Sequence, residues 1–178
     1  MSREVARIEE RRNASVVQGE SGPSTFEDFF HAEKDRLIRV MRVITGSRME
    51  AEDITQEAFL RLFERWETVA KMENPEGYLH RVAMNQFRSR RRRAAVGFRR
   101  AVAIGPSRDV FAEVDDRDLA LRALGSLSPR QRAALVLTEA LGYSGEEAGR
   151  LLGIKATTVW ALTHQARAAL ATMEDPDG

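Results

Sequence analysis

The sequence predicts an all-α protein built of two small helical domains joined by a flexible linker, with a helix-turn-helix in the second domain. Apolar residues recur at spacings of three and four through most of the 178 residues, and no segment alternates as a strand would. Short capping patterns mark where helices begin. The predicted boundaries are an N-terminal extension at 1–24, a first domain at 25–93, a linker at 94–118, a second domain at 119–172 and a tail at 173–178.

Three helices are predicted in the first domain. The first begins at one of two overlapping capping patterns, Ser24-x-x-Glu27 or Thr25-x-x-Asp28. The second covers about 49–67, and the third covers about 75–93. Residues at helical spacing form the inner faces: Phe26, Phe30, Leu37, Met41 and Ile44; then Ala51, Ile54, Ala58 and Leu62, widened by Phe59, Phe63 and Trp66; then Leu79, Val82, Ala83 and Phe87. We expect one core among these helices.

The second domain carries the helix-turn-helix signal. A helix capped at Ser128-Pro129 precedes Gly142, with a predicted inner stripe at Ala133, Val136, Leu137 and Ala140. The capping box Ser144-x-x-Glu147 then opens a short helix that ends at Gly153. A longer helix follows. A short helix, a glycine turn and a longer helix are the layout of a DNA-binding motif whose second helix enters the major groove. An ordinary helical hairpin is the alternative interpretation of this segment.

Charge is strongly segregated although the formal net charge is only +1. Residues 50–76 hold eight acidic and three basic side chains, whereas residues 77–108 hold nine arginines and no acid. Residues 109–118 hold five acids and one arginine. Such blocks favour two different partners, one that contacts an acidic face and one that is polyanionic. Solvated helix faces would explain any single block.

The composition excludes several classes of function. The chain has no cysteine, which excludes disulfides, thiol catalysis and cysteine-based zinc sites. His31, His80 and His164 lie far apart, so no metal site is expected. No nucleophile–base–acid set is evident, so we expect neither an enzyme with catalytic residues nor a cofactor. No membrane-length apolar run and no signal peptide occur, which predicts a cytoplasmic protein without membrane insertion.

Three segments, in this order, resemble the extracytoplasmic-function (ECF) sigma factors of bacterial RNA polymerase, in the sigma-70 superfamily. They are Ala51-Glu52-Asp53-Ile54-Thr55-Gln56-Glu57-Ala58-Phe59-Leu60, then Gly77-Tyr78-Leu79-His80-Arg81-Val82-Ala83-Met84-Asn85 with the arginine run, then Leu127-Ser128-Pro129-Arg130-Gln131-Arg132 with the hairpin to Leu170. The resemblance covers about residues 25–172. It implies a sigma factor that binds core polymerase and directs promoter recognition and DNA melting.

The resemblance also implies roles for individual residues. The second predicted helix (about 49–67, the acidic helix) would bind the clamp helices of core polymerase. The third predicted helix (about 75–93, the arginine-rich helix) would bind the promoter −10 element, and the second domain would bind the −35 element and the β-subunit flap. The core-binding set is Glu52, Asp53, Gln56, Glu57 and Phe59. The −10 set is Arg81, Asn85, Arg88 and Arg92, with Asn85 holding a flipped base. The −35 set is Lys155, Thr157, Thr158, Trp160, Ala161, His164 and Arg167. Many relatives are silenced by an anti-sigma factor, which adds a further candidate partner.

Two other interpretations stay open at this level. A stand-alone helix-turn-helix regulator would account for residues 119–170 but not for the acidic helix or the arginine-rich helix. A helical adaptor whose charged blocks bind only other proteins would account for the charge pattern but would show no salt-sensitive binding to nucleic acid.

Overall fold

The computed structural model describes residues 25–98 and 119–174, all of whose regular elements are helical. The elements, in chain order, are α1 (Phe26–Thr45), α2 (Arg48–Phe63), α3 (Trp66–Val69), α4 (Pro75–Phe98), α5 (Leu119–Ser126), α6 (Pro129–Leu135), a π-helical turn (Val136–Ala140), α7 (Gly145–Leu152) and α8 (Ala156–Glu174). The predicted N-terminal extension and most of the predicted linker lie outside the described residues.

The first domain consists of α1 to α4 around the predicted apolar faces. Thr25 and Ser47 cap α1 and α2, since each side chain accepts a hydrogen bond from a backbone N–H in the first turn. Gly46, with φ 71°, turns the chain between these helices. Two boundaries differ from the expectation. The second helix stops at Phe63 and is followed by the four-residue α3, and α4 continues past residue 93 to Phe98.

The second domain consists of α5 to α8, with the helix-turn-helix at α7 and α8. Reciprocal hydrogen bonds join Ser144 to Glu147 at the start of α7, which is the capping box that the sequence predicts. The helix before Gly142 is less regular than expected, because α6 widens into the π turn. A π turn accommodates an extra residue, so the apolar stripe rotates and Ala140 is exposed instead of buried.

The two domains pack against each other and share one continuous apolar core. Helices α1 and α4 of the first domain contact α6, the π turn and α7 of the second. The sequence predicts two domains and a linker but gives no sign of this interface. This interface therefore determines how the two predicted DNA-binding helices, α4 and α8, lie relative to each other.

Candidate nucleic-acid and polymerase interface

The predicted polymerase-binding face lies on α2, beside the arginine-rich helix. Asp53 and Gln56 are exposed and Glu57 is half-buried. Arg90 of α4 contacts the Asp53 carboxylate at 3.3 Å and the Glu57 carboxylate at 3.7 Å. One of the nine arginines thus neutralises part of the acidic face within the chain itself, and the remaining acidic surface stays open to solvent.

Two further ion pairs lie along this face of α2. Arg48 contacts Glu52 at 2.8 Å and Arg61 contacts Glu57 at 3.0 Å, both one helical turn apart. Exposed pairs of this kind contribute at most about 0.5 kcal/mol each. They leave Glu52 exposed beside Asp53, so the face can still present carboxylates to a partner.

Phe59 does not lie on this face. It is only 3% exposed, and its ring packs against Phe30 at 4.9 Å and Phe29 at 6.3 Å between ring centroids. Phe59 is therefore mainly a core residue, and it reaches the surface only as part of an apolar groove that it shares with Leu60 and Phe63. Its direct contact with polymerase stays a prediction. The exposed apolar residues nearby are Leu60 and Phe63, which line an apolar groove of about 320 Å³.

Sequence reasoning missed Leu60 and placed Phe63 in the core. The available signal was the stripe Ala51, Ile54, Ala58, Leu62, which fixes the buried side of α2. Leu60 lies about 160° around the helix from Leu62, on the solvent side. Leu60 and Phe63 together line one exposed apolar groove beside exposed carboxylates, and a contiguous apolar patch with a polar rim is typical of a surface that binds another protein.

The predicted −10 residues form one face of α4. Arg81, Asn85 and Arg92 are exposed, and Arg88 is half-buried. The Arg88 guanidinium donates a hydrogen bond to Oδ1 of Asn85 at 3.3 Å. This bond fixes the Asn85 carbonyl toward Arg88 and leaves its amide N–H₂ available to a ligand.

The predicted −35 residues are brought together on α8 and the turn before it. Lys155, Thr157, Thr158, Trp160, Ala161, His164 and Arg167 are all exposed. Trp160 is 61% exposed and lies over Gly145 at the start of α7, leaving no room for a Cβ there. Trp160 is thus a surface tryptophan, whereas Trp66 packs 5.3 Å from Phe29 in the core. Arg167 is ion-paired with Glu139.

The turn between α7 and α8 is unusually tight. Gly153 has φ 66°, a conformation that favours glycine. The Ile154 N–H donates to the Gly149 carbonyl at 3.0 Å, and a Cβ on Gly149 would stand 2.8 Å from the Ile154 carbonyl oxygen. The buried glycine at 149, which weakens α7 as an isolated helix, therefore allows this close turn.

A cavity of about 630 Å³ separates the arginine face of α4 from the helix-turn-helix turn. Arginines and apolar residues from both domains line it: Phe87, Arg88, Arg91, Arg92, Ala95, Arg130, Leu152, Gly153, Ile154 and Leu162. Arg88 reaches across this cavity and lies against Gly153. Two predicted DNA-binding surfaces thus face one another.

His80 and Tyr143 meet at the centre of the domain interface. Nδ1 of His80 and the Tyr143 hydroxyl are 2.7 Å apart. Burial, and then the Arg36 guanidinium, lower the pKa of His80 from 6.5 to about 4. Burial, and then nearby carboxylates, raise the pKa of Tyr143 to about 12. Both side chains are therefore neutral at pH 7.

Within the described ranges, no group of three His, Asp or Glu side chains converges as a metal site would require. None of the helices described is long and apolar enough to cross a bilayer.

Comparison with known proteins assigns both domains. The family model described as Sigma-70 region 2 matches residues 29–96, and the family model described as Sigma-70, region 4 matches residues 117–170. RNA polymerase sigma-E factor of Streptomyces coelicolor is 31% identical over 147 residues, covering 82% of this chain and 83% of that protein. ECF RNA polymerase sigma factor SigM of Mycobacterium tuberculosis is 30% identical over 154 residues, covering 83% and 76%.

A solved structure supports the same fold. The sigma factor RpoE of Bartonella quintana, in complex with the anti-sigma factor NepR, superposes with a TM-score of 0.64 at 23% identity, covering 86% of this chain and 98% of that one. The chain belongs to the sigma-70 family, as a sigma factor of the ECF type. It directs the initiation of transcription by RNA polymerase at promoters, and a stand-alone regulator would leave the region 2 match unexplained.

Proposed function

We propose that three helices make the contacts of a sigma factor. Helix α2 binds the clamp helices of core polymerase, α4 binds the −10 element and α8 binds the −35 element. The observation that carries this proposal is the arrangement of Asn85 on α4. It is exposed, hydrogen-bonded to Arg88 and placed between Arg81 and Arg92 on one face. Arginines there neutralise phosphates, while an amide can both donate to and accept from a base edge.

The −10 step requires a base to leave the stack. Unstacking costs a few kcal/mol, which contacts to the flipped base and its phosphates must offset. The Arg88–Asn85 hydrogen bond holds the amide in a fixed orientation before DNA arrives, so less ordering is needed on binding. In this proposal Asn85 recognises one base, and Arg81, Arg88 and Arg92 follow the backbone.

The polymerase contact is proposed for the exposed side of α2. Glu52, Asp53 and Gln56 supply its polar part, with Leu60 and Phe63 as the apolar part. An apolar patch ringed by carboxylates suits a protein surface with basic and apolar residues. Glu57 contributes from the edge of this surface, where it also holds Arg90.

On α8, the DNA contact is proposed to depend more on shape than on charge. Only Lys155 and Arg167 are basic among the exposed residues of this set, and Arg167 is engaged by Glu139. Trp160 offers an apolar edge that could cover a thymine methyl or sugar atoms in the major groove. Binding to isolated −35 duplex should therefore be weak and should depend only shallowly on salt.

The chain is proposed to act in the cytoplasm and to make or break no covalent bond itself. A second protein partner of the anti-sigma type is also proposed, since the Bartonella RpoE of similar fold is bound to NepR.

The test is transcription in vitro from a promoter library varied at the −10 element, with core polymerase and each variant. Asn85→Ala should lose about 1–3 kcal/mol of discrimination at one promoter position. Arg81→Ala, which removes an exposed arginine that makes no described contact with Asn85, should weaken binding at all sequences alike. It should also lower by about one unit the slope of log affinity against log salt concentration. An unchanged preference profile for Asn85→Ala would contradict base recognition by this residue.

Core binding is tested separately by pull-down. Asp53→Lys combined with Gln56→Ala should weaken association by about 2–5 kcal/mol if the contact is buried in the complex. Asp35→Lys is the matched control, because Asp35 is exposed on α1, outside the proposed surface. Arg90→Ala is the second control, because it removes the same internal ion pair while leaving the acidic face intact.

A further inference from the structure

The described lining of the cavity between α4 and the second domain contains four arginines and no acidic residue. Arg88, Arg91 and Arg92 come from α4, and Arg130 comes from α6. Among the described residues, no Asp or Glu side chain forms an ion pair with Arg88, Arg92 or Arg130. Like charges around one cavity repel each other, and an anion held between them removes that repulsion.

Arginines next to the cavity show that the missing ion pairs are a property of the cavity. Arg90, two residues after Arg88, contacts carboxylates of α2 at 3.3 Å and 3.7 Å. Arg167 of α8 is paired with Glu139. The chain therefore supplies carboxylates to arginines of both helices outside the cavity, and it leaves the guanidinium groups inside the cavity available to a ligand.

The arginines of the cavity are placed to hold phosphate groups. The Arg88 guanidinium donates to Oδ1 of Asn85 at 3.3 Å and lies against Gly153, so it is already ordered before a ligand binds. Arg92 follows one helical turn later on the same side of α4. A guanidinium presents a planar fork of donors that matches phosphate oxygens. With Arg130 on the second domain, a chain of two or three phosphates can be contacted from both domains.

The rest of the lining is largely apolar and suits a flat ring. Ile154 and Leu162 are half-buried and line the cavity from the second domain, together with Leu152. A nucleobase would cover this apolar surface, and arginine also stacks on bases. The cavity volume of about 630 Å³ lies within the range of about 300–1,000 Å³ that is typical of small-molecule sites. The cavity therefore fits one small anion that carries an aromatic ring.

We propose that this cavity is a binding site for a nucleoside polyphosphate, with the phosphates on Arg88, Arg92 and Arg130 and the base against Ile154 and Leu162. Nucleotide binding itself does not depend on the role proposed for α4. One consequence does, because Arg88 and Arg92 belong to the proposed −10 set. The nucleotide and the −10 strand compete for these two side chains.

The first test is calorimetric titration of the full chain with ATP and with GTP, in buffer without divalent cations. At least one of the two nucleotides should bind with a Kd below about 1 mM. Inorganic triphosphate should bind at least about tenfold more weakly, because it has no base to cover the apolar wall. Equal affinity for triphosphate would show attraction by charge alone and would overturn the proposal. The absence of binding by both nucleotides would overturn it as well.

Two neighbouring substitutions test whether the nucleotide lies in the cavity. Ala95→Glu adds a carboxylate to the wall beside the arginines, and Ala94→Glu adds the same charge to α4 outside the described lining. Both alanines are exposed and belong to none of the proposed binding sets, so both variants should keep the melting temperature of the wild type. Ala95→Glu should weaken nucleotide binding by about tenfold or more, and Ala94→Glu by less than about twofold. Equal effects of the two substitutions would overturn the location of the site.

A second pair of variants tests the contact from the second domain. Arg130→Ala should weaken nucleotide binding by about tenfold or more, because a charged hydrogen bond to phosphate is lost. Arg93→Ala is the matched control, since Arg93 is an exposed arginine of the same basic run that does not line the cavity. Unchanged affinity in a folded Arg130→Ala chain would contradict a site shared by both domains.

Competition with DNA is measured separately with a single-stranded −10 oligonucleotide. Nucleotide at ten times its Kd should weaken oligonucleotide binding by about tenfold in the wild type and much less in Ala95→Glu. Oligonucleotide binding that nucleotide leaves unchanged would overturn the shared use of Arg88 and Arg92. Absence of oligonucleotide binding without nucleotide would count against the proposed function of α4, whereas the titrations test the cavity without any DNA.

Discussion

Acidification from pH 7 to pH 5 is expected to destabilise the protein through His80. This side chain is 3% exposed, and its pKa is lowered from 6.5 to about 4 by burial and by Arg36. Between these two values the unfolded chain binds a proton at His80 that the folded chain does not. Stability therefore falls as pH drops through this window and levels off below about pH 4.

The magnitude follows from the size of the shift. One pKa unit corresponds to about 1.36 kcal/mol, so the full effect is about 3 kcal/mol, of which about 2 kcal/mol should be lost by pH 5. Burial raises the pKa of Glu33 and of Glu50, whose titration acts in the opposite direction. The effect of His80 alone is therefore measured as the difference in free energy of unfolding between the wild type and a variant that lacks this histidine, followed as a function of pH.

The assay is urea denaturation followed by circular dichroism at pH 7, 6 and 5. His80→Gln keeps a polar side chain next to Tyr143 but cannot be protonated in this range. The free energies of unfolding of wild type and variant should converge by about 2 kcal/mol between pH 7 and pH 5. Parallel pH profiles for the two proteins would refute the reasoning and place His80 in a solvated environment.

Three further outcomes are expected. Gly149→Ala should destabilise the chain by about 1 kcal/mol, since overpacking against the Ile154 carbonyl outweighs the gain in helix propensity; a higher melting temperature would contradict this. Trp160→Ala should lower −35-dependent transcription more than Lys155→Ala without lowering the melting temperature, because this indole is exposed; loss of folding in a thermal melt would instead assign it to the core. Phe59→Ala should destabilise the fold by about 3–5 kcal/mol, whereas Leu60→Ala should weaken polymerase pull-down and leave the melt unchanged.

The helices, and the exposure of most of the site residues, can be predicted from the sequence, because helical spacing and capping patterns determine them. Helical spacing alone places Leu79 and Phe87 inside and Asn85 outside α4, and the capping box at Ser144 fixes the start of α7. Phe63 is where helical spacing fails. The spacing adds it to the buried face of α2 with Phe59, but Phe63 is 59% exposed whereas Phe59 is buried.

The π turn and the domain interface depend on contacts between residues far apart in the chain. The stripe through Val136 and Ala140 fits a regular helix equally well, and packing of Leu137 against α1 accompanies the extra residue. His80 offered the one usable signal. It lies at helical spacing with Ala83 and Phe87 on the inner side of α4, where a polar side chain needs a buried partner. The sequence does not show that this partner is Tyr143.

Both domains are expected to be needed for this chain to confer promoter recognition on core RNA polymerase. The most direct measurement is sequencing of the transcripts made in vitro from random-sequence templates by core polymerase with and without the chain. We expect new start sites that share one element near −10 and another near −35, and loss of preference at one −10 position with Asn85→Ala. Transcripts indistinguishable from those of core polymerase alone would show that the chain confers no promoter recognition.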